Sequence, residues 1–138
     1  MTQAELQKLK TIIQKELTFN EDNLQSKFQE LIIKRCFYLD LTSKETTKLK
    51  NLRLDKEVLY AELYDKIKFH SDIRREKRDE IESQMHCEPR FLAICKEIII
   101  QEEIVSYLAE IIQAFKDLSF QLRAMLDMIK FKAGLDIW

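Results

Sequence analysis

An all-α fold is what this sequence predicts, and three observations carry the prediction. The chain holds one Gly and one Pro in 138 residues, too few for tight hairpins or phosphate-cradling loops. About a third of its residues are charged (34%) and nearly half are hydrophobic (46%), the balance of amphipathic helices around a core. Finally, Pro89 to Ala133 contains no Gly or Pro after its opening residue. Within that stretch Ile104, Leu108, Ile111, Phe115, Leu118, Leu122, Met125 and Ile129 recur at alternating steps of four and three, the period of a helix that keeps one seam against a partner.

The elements are read in order. Thr2 and Glu5 have the spacing of a capping box, in which each side chain satisfies an orphan backbone N–H at a helix start. Leu6, Leu9, Ile12, Ile13 and Leu17 then mark one face of a first helix. The polar cluster Asn20 to Asn23 predicts a turn, and Leu24, Phe28, Leu31, Ile32 and Cys36 give a second helix its apolar face. Thr42 and Glu45 have the spacing of another capping box, so a third helix is expected from Ser43 to about Phe69, with Leu49, Leu52, Leu59, Leu63 and Ile67 inward and Val58, Tyr60 and Tyr64 beside them. His70 to Asp72 break the pattern. Ile73 to Met85 is charge-dense and weakly amphipathic, and Pro89 suits the first turn of the terminal helix, where its missing N–H has no partner anyway.

A second apolar series, Ile98, Val105, Ile112 and Leu126, runs beside the main seam with a gap at Ser119, and Ile100, Tyr107 and Ala114 flank it on the other side. A straight helix of this span is about 65 Å long, whereas a compact chain of this size is roughly 40 Å across. Short neighbours from the same chain do not cover it. Either it bends, with Ser119 the softest point, or other copies cover it. Two adjacent seams facing different neighbours generate a ring when the rotation closes. The expected architecture is therefore an N-terminal helical domain, 1–87, followed by a long C-terminal oligomerisation helix, 88–138, that assembles into a homo-oligomeric helical ring or barrel through the seam from Ile104 to Ile129. A long central helix in a monomeric bundle is the alternative.

Several function classes are disfavoured. Gln101, Glu102, Glu103 and Glu110 break the longest apolar runs and the N-terminus lacks an apolar signal core, so neither a membrane span nor secretion is expected. Three cysteines, Cys36, Cys87 and Cys95, form no CxxC pair and suit a reducing cytoplasm. His86 beside Cys87 is no ligand set, so neither metal nor cofactor is expected. No nucleophile, base and orienting partner can be assembled, and the chain is not expected to be an enzyme. Glu102 and Glu103 are adjacent on a helix, point in different directions and read as a solvated edge.

The positive signal is charge. Between Lys34 and Arg78 thirteen Lys or Arg face eight Asp or Glu, a window of +5 in a chain whose net charge is −1. Tyr60, Tyr64, Phe69 and His70 lie among these cations, and single-strand binders combine phosphate-tracking cations with flat side chains on which bases stack. Charge density selects Lys66, Lys68, Arg74, Arg75, Lys77 and Arg78 as nucleic-acid-binding candidates, with Lys48, Arg53 and Lys56 as a second set. A solvated face on a helical scaffold or adaptor is the competing reading.

Ser119-Phe120-Gln121-Leu122-Arg123, followed by Lys130-Phe131-Lys132-Ala133-Gly134, resembles the C-terminal signature of the UvsY-like recombination mediators of tailed bacteriophages. Upstream, Asn23-Leu24 opening a helix, a long helix ending near Leu63, Tyr64 and Asp65, a charged connector and a terminal apolar helix follow the same order. Where that family commonly has Arg-Gly before the Phe, this chain has Leu118-Ser119, so helix is expected to continue through that point. Leu59 to Leu63 lacks the cations that some members carry there. The resemblance implies a small all-helical protein whose C-terminal helices form a ring, a hexamer or heptamer. It also implies binding to single-stranded DNA, and loading of a RecA-like phage recombinase onto strands covered by phage single-strand-binding protein, in the cytoplasm of the infected bacterial host. That action is mechanical and needs no cofactor.

Overall fold

The computed structural model describes residues 1–17, 24–70 and 78–134. Among them are four helices and no strand: α1 (Gln3–Glu16), α2 (Leu24–His70), α3 (Arg78–Met85) and α4 (Pro89–Lys132). The turn expected at Asn20 to Asn23 lies outside the described residues. Local signals set the helix ends. Thr2 Oγ1 accepts from the Glu5 N–H at 3.2 Å while Glu5 Oε2 accepts from the Thr2 N–H at 3.1 Å, the reciprocal box expected. The Glu88 carbonyl accepts from the Leu92 N–H at 3.0 Å, which places Pro89 at the first helical position. α4 ends at Lys132, and Gly134 just beyond it has a φ of 73°, in the left-handed region that favours Gly. It runs without interruption through Ser119, as the Leu118-Ser119 pair predicts.

The second capping box is corrected. Thr42 does not start a helix; α2 is continuous over 47 residues, and Thr42 Oγ1 donates back to the Tyr38 carbonyl at 2.7 Å. The reason is periodic. Leu31, Tyr38 and Glu45 are all buried at seven-residue steps, so the covered stripe passes straight through the supposed boundary. The stripe is also narrower than expected, since Ile32, Cys36 and Val58 are exposed. Likewise Ile12 is exposed while Leu6, Leu9 and Ile13 are buried.

The chain forms two compact units, Met1–Lys44 with Ile104–Trp138, and Glu45–Glu103. This division differs from a boundary at 87/88 because α2 and α4 each contribute to both units. In the first unit, Leu6, Leu9 and Ile13 of α1, Leu31 and Tyr38 of α2, and Leu108, Phe115 and Leu122 of α4 are buried. The Tyr38 ring stacks on Phe115 with centroids 5.3 Å apart and planes at 22°. Its hydroxyl donates to Glu16 Oε2 at 3.4 Å, and Lys34 Nζ pairs with Glu16 Oε1 at 3.2 Å, tying the end of α1 to α2.

Burial, then the Glu16 charge and hydrogen bond, push the Tyr38 phenol up to about 12. The folded state thus holds this proton where the unfolded state, with an ordinary phenol near 10, has released it. Its contribution is complete below about pH 10 and is lost as pH rises toward about 12. Urea midpoints measured across that window should fall with pH, and Tyr38→Phe should flatten the fall. An equally steep fall in the variant would assign the effect elsewhere.

In the second unit, Leu59, Leu63 and Ile67 of α2, Ile81 and Met85 of α3, and Phe91 of α4 form one core. α3 has only eight residues and is too short to hold alone; Ile81 and Met85, one turn apart and essentially fully buried, anchor it. Elsewhere in this unit Glu45 and Gln101 are buried polar residues. The Gln101 Nε2 donates to the Glu45 carbonyl at 2.9 Å and to its Oε2 at 2.6 Å. Burial alone would raise the Glu45 carboxyl, but the Gln101 hydrogen bond and nearby positive charge more than reverse this and hold it below the ordinary range.

Candidate nucleic-acid interface

The basic face grows from the way α2 rotates within the second unit. Leu59, Leu63 and Ile67 take the inward positions, so Lys66 and Lys68, one residue to either side of Ile67, turn away by about 100° each. Lys48, Arg53 and Lys66 are exposed, and Lys56 and Lys68 are half-buried. Arg78 opens α3 and is exposed; Arg74, Arg75 and Lys77 lie outside the described residues.

The structure sorts these cations in a way that charge density did not. Arg53 Nη2 is paired with Glu102 Oε1 at 3.1 Å, and Arg78 Nε with Glu82 Oε1 at 3.0 Å. Glu82 also accepts from the Tyr60 hydroxyl at 2.9 Å, and these two hydrogen bonds hold its carboxyl below the usual range. Glu102 is thus a paired group on an exposed edge. Lys48 lends its charge to Glu45. Among the described residues Lys56, Lys66 and Lys68 have no carboxylate within ion-pair distance. Two of them lie over aromatic rings instead: Lys56 Nζ is 5.7 Å from the Phe91 centroid, and Lys68 Nζ is 5.8 Å from Tyr64 and 5.2 Å from Phe69.

Aromatic side chains follow the cations along α2. Tyr60 and Tyr64 stack with centroids 6.0 Å apart, and both pack against the core. A cleft of about 400 Å³ is lined by Arg53, Lys56, Glu57, Tyr60, Ile98 and Glu102. A second, of about 260 Å³, shares Lys56 and Tyr60 and adds Glu82, Met85, His86 and Phe91. The run of helix from Lys56 to Phe69 therefore carries three cations, Lys56, Lys66 and Lys68, and three carboxylates, Glu57, Glu62 and Asp65, around the rings of Tyr60, Tyr64 and Phe69. Leu59 to Leu63 is acidic rather than basic, and Glu62 Oε2 lies 3.9 Å from Arg90 Nη2.

The terminal seam is largely covered within its own chain. Ile104, Leu108, Ile111, Phe115, Leu118 and Leu122 are buried within the single chain, and Met125 and Ile129 are half-buried. The premise that α4 has only short neighbours is corrected, because α2 is itself 47 residues long and its Tyr38 stacks directly on Phe115. What α4 leaves exposed near its end is Phe120, Met128 and Phe131.

The polar pair Glu45 and Gln101 was missed by sequence reasoning, which took Gln101 for an interruption of an apolar run. Its signal was present, since Gln101 precedes Leu108 by seven residues and so shares its stripe. Among the described residues no helix is long and apolar enough to cross a membrane, and no group of three His, Cys, Asp or Glu is placed to hold a metal ion.

Two long helices with a short one between them in the chain define a small all-helical fold. No family model and no curated protein sequence matches the chain. Solved structures do match it. Crystal structures of the bacteriophage T4 recombination mediator protein UvsY superpose with TM-scores of 0.81 and 0.80, each at 16% identity, covering 96% and 97% of this chain and 99% of that one. A third UvsY structure gives 0.77 at 14% identity over 91% of this chain and 98% of the other. The chain has the UvsY fold along nearly its whole length.

Proposed function

We propose that this protein is a recombination mediator that binds single-stranded DNA and loads a RecA-like recombinase onto strands covered by single-strand-binding protein, in phage recombination and repair within the host cytoplasm. The observation that carries the reading is the fold, shared over 96% of this chain and 99% of a recombination mediator. Lys56, Lys66 and Lys68, which have no carboxylate partners among the described residues, support it. The action is mechanical. A homo-oligomeric ring would set several modest basic tracks along one polyanion, raising avidity through effective concentration without any new contact. We place the ring contacts on the part of α4 that its own chain leaves open, Phe120, Met128 and Phe131 with the half-buried Met125 and Ile129.

The pairing of Arg53 with Glu102 and of Arg78 with Glu82 favours a second reading, a helical adaptor that oligomerises and recruits protein. A labelled single-stranded oligonucleotide titrated at two salt concentrations separates the two. The mediator should bind with a log–log salt slope of about 0.7 per phosphate contact. No binding at low salt would overturn the mediator reading in favour of the adaptor.

A further inference from the structure

Phe69 stands in the last turn of α2 with 66% of its surface open, and among the described residues of the second unit it is the exposed Phe or Tyr. The other aromatic side chains of the track are committed inward. Tyr60 and Tyr64 stack on each other and against the core, with the Tyr60 hydroxyl held by Glu82, and Phe91 is buried. Lys68 Nζ lies over both the Tyr64 and the Phe69 rings, 5.8 Å and 5.2 Å from their centroids, so the exposed ring is steadied by a cation that also rests on the packed one.

Lys68 has a local reason to be here, since a cation in a last turn complements the negative end of the helix dipole. The open ring does not share that reason. A phosphate against the carbonyl end of a helix is disfavoured, while a base is neutral and presents a π-face to any flat partner. Lys66 and Lys68, without carboxylate partners among the described residues, are placed to meet the phosphates on either side of such a base.

Resting on the reading of this surface as a single-strand site, we propose that Phe69 is its stacking platform: one unpaired nucleobase stacks on the ring while Lys66 and Lys68 hold the flanking phosphates. The surface then distinguishes a strand with bases from a bare sugar–phosphate chain, which lysines alone do not.

The full-length protein is titrated with a labelled oligothymidylate and with an abasic deoxyribose–phosphate chain of the same length. The wild type should prefer the base-bearing strand by about tenfold or more, the effect of one base–aromatic stack. Phe69→Ala should lose that preference with its salt slope unchanged, and Phe69→Leu should not restore it. In a Trp138→Phe background, Phe69→Trp should show indole fluorescence quenched by the oligothymidylate and not by the abasic chain. A Phe69→Ala variant that keeps the wild-type preference overturns the platform while leaving the single-strand reading in place. Failure of the wild type to bind either strand at low salt overturns the single-strand reading itself.

Discussion

Replacing Phe115 by Ala should destabilise the folded chain by about 3–5 kcal/mol, the cost of deleting a large buried ring and leaving a cavity. That is a large share of the roughly 5–15 kcal/mol that holds a domain of ordinary stability together. Phe115 is essentially inaccessible and its ring stacks on Tyr38 across α2 and α4, so the loss falls on the core of the first unit. Urea unfolding followed by circular dichroism reads it directly. The contrasting variant is Met128→Glu with Phe131→Glu. Both side chains are exposed, and surface changes of this kind usually move stability within about 0.5 kcal/mol. This double variant should retain its helix content and lower the mass measured by light scattering. An unaltered urea midpoint in Phe115→Ala would show that the seam is not a core within the chain. An unaltered mass in the double variant would remove the assembly from the end of α4.

Reversing Lys56, Lys66 and Lys68 to Glu should lower single-strand affinity on the order of a thousandfold at about 50 mM salt, since counterion release makes each phosphate contact worth about tenfold there. The salt slope should flatten by about 2 over the three positions. Arg53→Glu is the informative control. Its guanidinium is already paired with Glu102, so the substitution replaces an ion pair by two facing carboxylates and should leave the slope nearly unchanged. The opposite ranking, with Arg53 dominant and the three lysines silent, would move the DNA track to the cleft beside Ile98 and away from the end of α2.

The terminal helix was legible from residue to residue. Its limits at Pro89 and Lys132 and its buried positions from Ile104 to Leu122 follow from periodicity and from the placement of one Pro and one Gly. The box at Thr2 and Glu5 was equally plain because it involves only a few adjacent residues. An identical spacing at Thr42 and Glu45 misled. Whether such a pair caps a helix or lies inside one depends on what covers the next turn, and Gln101, 56 residues away, holds Glu45 in the interior. α3 carried little local signal, and its helix rests on two side chains that find a core.

For the candidate site the division is similar. Charge density ranked Arg78 beside Lys66 and Lys68, and Arg53 beside Lys56, although Glu82 and Glu102 engage the two arginines while, among the described residues, no carboxylate engages the three lysines. By itself the sequence determined that this is a chain of amphipathic helices with a basic window and one long apolar seam, because helix formation and amphipathicity are local, periodic properties. The tertiary structure alone decided that the chain buries most of that seam itself and which cations, among the described residues, have no carboxylate partner, because both depend on residues brought together from distant parts of the sequence.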